Sequence, residues 1–99
     1  MAIGLKYVDT PPIRQAVTIC NRRGLHARAA ALFVRRSSAF KSQVGVTRGG
    51  QTVSGHSILG LMMLAAAMGS EIEISIHGPD ADDALKSLSA LVLSGFEEN

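Results

Sequence analysis

Residues 71–77, Glu71-Ile72-Glu73-Ile74-Ser75-Ile76-His77, alternate polar and apolar side chains without a break. Successive side chains on a strand point to opposite faces, so three isoleucines line one face and polar groups the other. A strand built this way has one face on a core and one in water, as antiparallel sheets do. Its partners lie upstream. In residues 15–20, Val17 and Ile19 flank Thr18, and in residues 40–47, Val44 and Val46 point one way. Arg48-Gly49-Gly50-Gln51 then predicts a two-residue hairpin, because both glycines tolerate positive φ, with a short return strand over 51–54.

Helical spacing fills the gaps between strands. Asn21-Arg22-Arg23-Gly24 breaks the first strand, and a helix is expected over 26–38, with Ala30, Phe33, Val34 and Ser37 on one side. Arg28, Leu32, Arg35 and Arg36 cover another side. A second helix is expected over 56–68, ended by Gly69. After the Gly78-Pro79 turn, Asp80, Asp82 and Asp83 open a third, their carboxylates placed to cap free N–H groups. Its stripe contains Ala84, Leu85, Leu88, Leu91 and Val92. The order β-α-β-β-α-β-α predicts an α+β open-faced sandwich, a four-stranded antiparallel sheet covered on one face by three helices. Residues 1–13, closed off by Pro11-Pro12, are expected to form an N-terminal tail, and residues 14–99 a single domain.

Composition bounds the function. Ninety-nine residues allow one domain, and a single cysteine excludes an intramolecular disulfide framework, which favours a reducing, cytoplasmic setting. No apolar run is long enough to span a membrane, so no membrane insertion is expected, and the first residues contain no secretory signal pattern. The formal charge of +2 conceals a division. Residues 1–50 carry nine basic and one acidic side chain (+8), residues 51–99 one basic and seven acidic (−6), and no carboxylate lies between Asp9 and Glu71. Such a field steers anions or acidic partners without choosing among nucleic acid, phosphate and acidic protein.

Two segments carry chemistry. Residues 57–68 hold no charge. Leu61, Leu64, Ala65 and Met68 are assigned to the core, which leaves Ile58, Leu59 and Met62 on another side. A small domain with one sheet face cannot readily bury every side of a helix, so these are core, scattered surface apolars, a dimer interface or a docking patch. In Gly24-Leu25-His26-Ala27-Arg28, glycine frees the turn and His26 falls at the helix start. The backbone N–H groups of Ala27 and Arg28 can receive an anion there, and Arg28 adds a fork suited to phosphate oxygens. A neutral imidazole so placed can accept a phosphoryl group. The plainer alternative is an indifferent exposed histidine at a helix cap.

The segment from Asn21 to Ala30, followed about thirty residues later by Ser57-Ile58-Leu59-Gly60-Leu61-Met62, resembles the HPr phosphocarrier family of the bacterial phosphotransferase system over roughly residues 14–96. The resemblance implies that His26 accepts phosphate on Nδ1 from an Enzyme I that draws on phosphoenolpyruvate, with Arg28 stabilising it. The phosphoryl group then passes to a IIA-type acceptor. Ile58, Leu59 and Met62 would dock these partners, and Ser57 matches a serine that an HPr serine kinase phosphorylates in part of the family. It implies a monomer with no metal and no organic cofactor, a stoichiometric phosphohistidine carrier rather than a complete enzyme. Two positions depart from the family pattern. Ala29 stands where many members have proline, and Arg23 where a small polar residue is common. Both, with the tail, resemble members of the nitrogen-related branch or alphaproteobacterial relays.

A different class of function uses the same residues, a non-catalytic regulatory binding protein acting through Ile58, Leu59, Met62 and Ser57 phosphorylation. Its alternative as N-cap explains Ser57 without regulation, and Ser54 is a rival cap. Nucleic-acid binding is not expected, because no aromatic residues interleave with Arg22-Arg23 or Arg35-Arg36. His26, His56, His77 and Cys20 match no compact metal spacing.

Overall fold

The computed structural model describes residues 11–98, so the proposed tail lies almost wholly outside the described residues. The chain runs β1 (Ile13–Thr18), α1 (Ala27–Ser37), β2 (Gln43–Arg48), β3 (Gln51–Ser54), α2 (Ile58–Met63), β4 (Glu71–His77) and α3 (Ala81–Leu93). The strands form one sheet in the order β1-β4-β2-β3, with every neighbouring pair antiparallel. This is the α+β sandwich that the alternation predicts.

The strand with the strictest alternation takes a central place because it can bury a full face. Ile72, Ile74 and Ile76 lie in the core, in register with Val17 of β1 and with Val46 and Val44 of β2. Each fully buried isoleucine contributes about 1.5–3 kcal/mol relative to an exposed one. Phe33 of α1, Leu61 of α2, and Leu88, Leu91 and Val92 of α3 close the core from the helix side. At the hairpin, Gly49 and Gly50 have φ of 57° and 84°, and Arg48 pairs with Gln51, as a two-residue turn requires.

The boundaries differ from the sequence expectation where distant backbone groups claim them. β1 begins at Ile13 rather than residue 15, because Ile13 pairs with Ile76. β2 begins at Gln43 rather than residue 40, since Phe40 N–H is used to close α1 on the Ser37 carbonyl. Asp80 then fixes the next two residues. Its carboxylate makes no cap bond within α3 and instead accepts from the amides of Lys41 (2.9 Å) and Ser42 (3.0 Å) and from the Ser42 hydroxyl. The hydroxyl first, and then the Lys41 amide, hold the Asp80 carboxyl below its ordinary range.

The largest correction concerns the second helix. It ends at Met63 rather than Met68, through tight bonds from Leu64 N–H to Leu61 and from Ala65 N–H to Met62. Ala65 then turns left-handed, with φ 51°. As a result Ala65 and Met68 are exposed and Ala66 takes the core position, while Leu61 and Leu64 are buried as expected. Two contacts favour this early stop. Arg48 donates to the Leu64 carbonyl at 3.1 Å, and the Ala66 carbonyl accepts from Leu25 N–H at 2.9 Å.

Candidate functional site

The loop before α1 is built to hold one imidazole. Gly24 adopts φ 68°, and its backbone passes so near the turn after α2 that a Cβ would meet the Ala66 oxygen at 2.5 Å. Buried Asn21 donates through Nδ2 to the Gly24 carbonyl at 2.8 Å, and Leu25 is buried beneath the loop. His26 follows as the N-cap of α1 in extended conformation, and its side chain makes no cap bond. The helix can start here because Ala29 and Ala30, both fully buried, let its first turn sit against the core. Ala29 thereby fills the place where proline is common with a strong helix former.

The first-turn N–H groups of an α-helix have no partner within the helix, so those of Ala27 and Arg28 face outward with the positive end of the dipole. Among the described residues, Arg28 is exposed and makes no ion pair, as is also true of Arg23. A shallow pocket of about 360 Å³ is lined by Arg23, His26, Arg28, Ala29, Leu32, Phe96, Glu97 and Glu98. Its two arginines, not its two carboxylates, are the groups suited to a small anion beside the imidazole.

Glu98 is the member of this group that sequence inspection missed. Its carboxylate lies 2.7 Å from His26 Nε2 and also accepts from Asn21 Nδ2. The imidazole hydrogen bond first, and the Asn21 amide in support, hold the Glu98 carboxyl below its ordinary range against partial burial. Seventy-two residues separate the two side chains, so no local pattern could pair them. The one local signal is Gly95, which ends α3 in a Schellman motif: Gly95 N–H bonds Val92 and Phe96 N–H bonds Leu91, each at 3.0 Å.

The structure separates the apolar faces of α2. Leu61 is fully buried, whereas Ile58, Leu59 and Met62 are 43, 69 and 40% exposed. Met63 is exposed as well, a residue the sequence left unassigned. Ser57 is the N-cap, its hydroxyl accepting from Gly60 N–H at 2.9 Å; Ser54, the rival, accepts instead from His56 N–H. The Leu25–Ala66 backbone bond ties the histidine loop to the segment that leaves this helix. No helix among the described residues is long and apolar enough to cross a membrane.

Comparison with known proteins matches this architecture. Residues 13–94 fit the family described as the PTS HPr component phosphorylation site. The phosphocarrier protein HPr of Neisseria meningitidis is 45% identical over 86 residues, covering 87% of this chain and 97% of that protein. The phosphocarrier protein NPr of Shewanella violacea is 42% identical over 86 residues, covering 87 and 94%. The crystal structure of HPr-C-His from Thermoanaerobacter tengcongensis superposes with a TM-score of 0.84 at 39% identity, covering 88% of this chain and 98% of that one. The chain belongs to the HPr family of phosphotransferase-system components. That membership supports a phosphocarrier role.

Proposed function

We propose that the protein carries a phosphoryl group on Nδ1 of His26, received from an Enzyme I-type donor supplied by phosphoenolpyruvate and delivered to a IIA-type acceptor. The observation that carries this reading is the placement of His26 at an uncapped helix start, beside an exposed and unpaired Arg28. The Nδ1 lone pair forms the P–N bond as the donor's bond to phosphorus breaks, and the bonding pair departs with the donor. Arg28 and the first-turn N–H groups of Ala27 and Arg28 hold the phosphate oxygens. Charge-assisted bonds of this kind are worth about 1.5–3 kcal/mol each, roughly ten- to a hundredfold in rate when they act in the transition state.

Ile58, Leu59 and Met62 dock donor and acceptor in turn, supported by their exposure on a helix whose one buried residue is Leu61. The carrier works as a cytoplasmic monomer without metal or organic cofactor, its domain beginning with β1 at Ile13 rather than at residue 14. Ser57, half-exposed at the start of the docking helix, is the site for an HPr serine kinase. A phosphate there would place about two negative charges beside the apolar patch and weaken capture of acidic partners.

Incubation with Enzyme I and phosphoenolpyruvate should give one acid-labile, base-stable phosphate per chain, absent from His26→Ala. Equal labelling of that variant would refute the reading. Met62→Glu should slow labelling by raising the donor's KM. If His26→Ala is silent while Met62→Glu abolishes partner capture, the protein is instead a regulatory binding module.

A further inference from the structure

We infer that Met62 and Met63 are oxidation sites through which peroxide controls partner docking, their thioethers becoming sulfoxides on the face that donor and acceptor contact. This rests on the carrier reading above and names a regulation of its docking face. The chain contains four methionines, and the three among the described residues, Met62, Met63 and Met68, all fall between positions 62 and 68. They are 40, 62 and 58% exposed. Methionine is ordinarily an interior residue that fills irregular gaps in a core. Here the core cluster contains none. The sulfurs of the described chain therefore lie where a small oxidant reaches them, and none of the thioethers holds the fold together.

Helix geometry places two of these methionines on one face. At about 100° per residue, Ile58, Met62, Leu59 and Met63 follow one another around an arc of about 140°, and Leu61 lies buried outside it. Met63 thus widens the docking face. No charged residue occurs from Ser57 to Met68, so the face is uniformly apolar and one new polar group changes its character. Ile58 and Leu59 are hydrocarbon and inert to peroxide. The two sulfurs are the oxidisable atoms of the arc.

The oxidant is hydrogen peroxide. A sulfur lone pair attacks one peroxide oxygen and the O–O bond breaks. The departing hydroxide takes the proton left on the transferred oxygen and leaves as water. Sulfur is oxidised by two electrons, and the peroxide is reduced. The product is a chiral, polar sulfoxide in place of an apolar thioether. Docking must then strip water from an oxygen to which an apolar partner surface offers no donor, and that desolvation opposes binding. Because the core lacks methionine, the change falls on docking and leaves the packing intact. Methionine sulfoxide reductases, drawing electrons from a thiol, return the thioether.

The test uses the full chain carrying C20S, which removes the exposed thiol as a second peroxide target, with M62L/M63L and M68L made in that background. Each protein is treated with hydrogen peroxide, the peroxide is removed, and labelling by Enzyme I and phosphoenolpyruvate is compared with the same protein untreated. Mass spectrometry should find one added oxygen on Met62 and one on Met63. The KM of the carrier in labelling should rise about tenfold with kcat little changed, the effect of one polar group buried without a partner. The urea midpoint should stay where it was. M62L/M63L should keep its own untreated KM after peroxide, whereas M68L should remain sensitive. Sulfoxide reductases for both epimers, with a thiol reductant, should restore the original KM. An unchanged KM in a chain oxidised at both positions would overturn the inference. So would an equal rise in M62L/M63L, or a urea midpoint that falls along with docking. Failure of the carrier reading itself shows separately, as undiminished labelling of H26A before any peroxide is added.

Discussion

Replacing Gly24 by alanine should destabilise the fold far more than the same change at Gly49, although both glycines are left-handed, at φ 68° and 57°. The backbone penalty is shared, about 1–2 kcal/mol for an L residue in this region. The surroundings are not. A Cβ at Gly49 meets nothing within 4 Å, whereas at Gly24 it meets Ala66 O at 2.5 Å and Ala67 Cα at 2.9 Å, both backbone atoms. Relief to an ordinary 3.4 Å contact requires the segments to part by about 0.9 Å. Parting them stretches the Leu25–Ala66 hydrogen bond, now 2.9 Å. Overpacking costs about 1–3 kcal/mol and the lost bond about 0.5–1.5 kcal/mol, so Gly24→Ala should exceed Gly49→Ala by roughly 2–4 kcal/mol. For a domain of this size that gap is about 10–25 °C in Tm. Urea titration with linear extrapolation measures both variants. Because the strained contact lies directly before His26, labelling by Enzyme I should slow in Gly24→Ala and not in Gly49→Ala. Equal losses of stability would refute the close-approach argument and leave only the φ penalty.

Three further outcomes test the packing and the ionisation. Leu61→Ala should cost about 2–5 kcal/mol and Leu59→Ala less than about 0.5 kcal/mol, although both lie on α2, because only the first opens a core cavity; comparable urea midpoints would contradict the assigned faces. Ser57→Ala should lower stability by about 1 kcal/mol through loss of the cap on Gly60 N–H, measurable by thermal unfolding, whereas Ser54→Ala should cost less. Asp80 carries a folded-state pKa depressed below its unfolded value, so its contribution is present at neutral pH and is lost as pH falls below about 4 toward the folded pKa. Wild type should therefore lose urea resistance through that range more steeply than Asp80→Ala, and parallel curves would exclude the Ser42 and Lys41 contacts as the cause.

Much of the fold was legible because its signals are local. The alternation over 71–77 reproduced β4 at both ends, and Gly49-Gly50 identified the hairpin, since each depends only on backbone period or turn conformation. His26, Arg28 and the helix they begin were legible for the same reason. Ile58, Leu59 and Met62 were separable from Leu61 by helical spacing, which places them on different sides of one short helix. The misassigned stretch, 64–68, is apolar and alanine-rich, so composition favours continuing the helix. What stops it is the use of the Leu64 and Ala66 carbonyls by Arg48 and Leu25, partners about sixteen and forty residues away.

Asp80 shows the same division. Its position before α3 was evident, but its carboxylate serves the loop at Lys41 and Ser42, because the fold brings two amides and a hydroxyl within reach. By itself, then, the sequence determined the order of strands and helices, most of the core-facing positions, and which histidine starts a helix. All of these follow from residue type and spacing along a few turns of backbone. Only the tertiary structure decided the electrostatics around that histidine. The chain carries no carboxylate from Thr10 to Ser70, yet the left-handed turn after α3 returns Glu98 to His26 across seventy-two residues. Which charge faces which nitrogen depends on two distant segments converging, and the period of neither segment encodes that meeting.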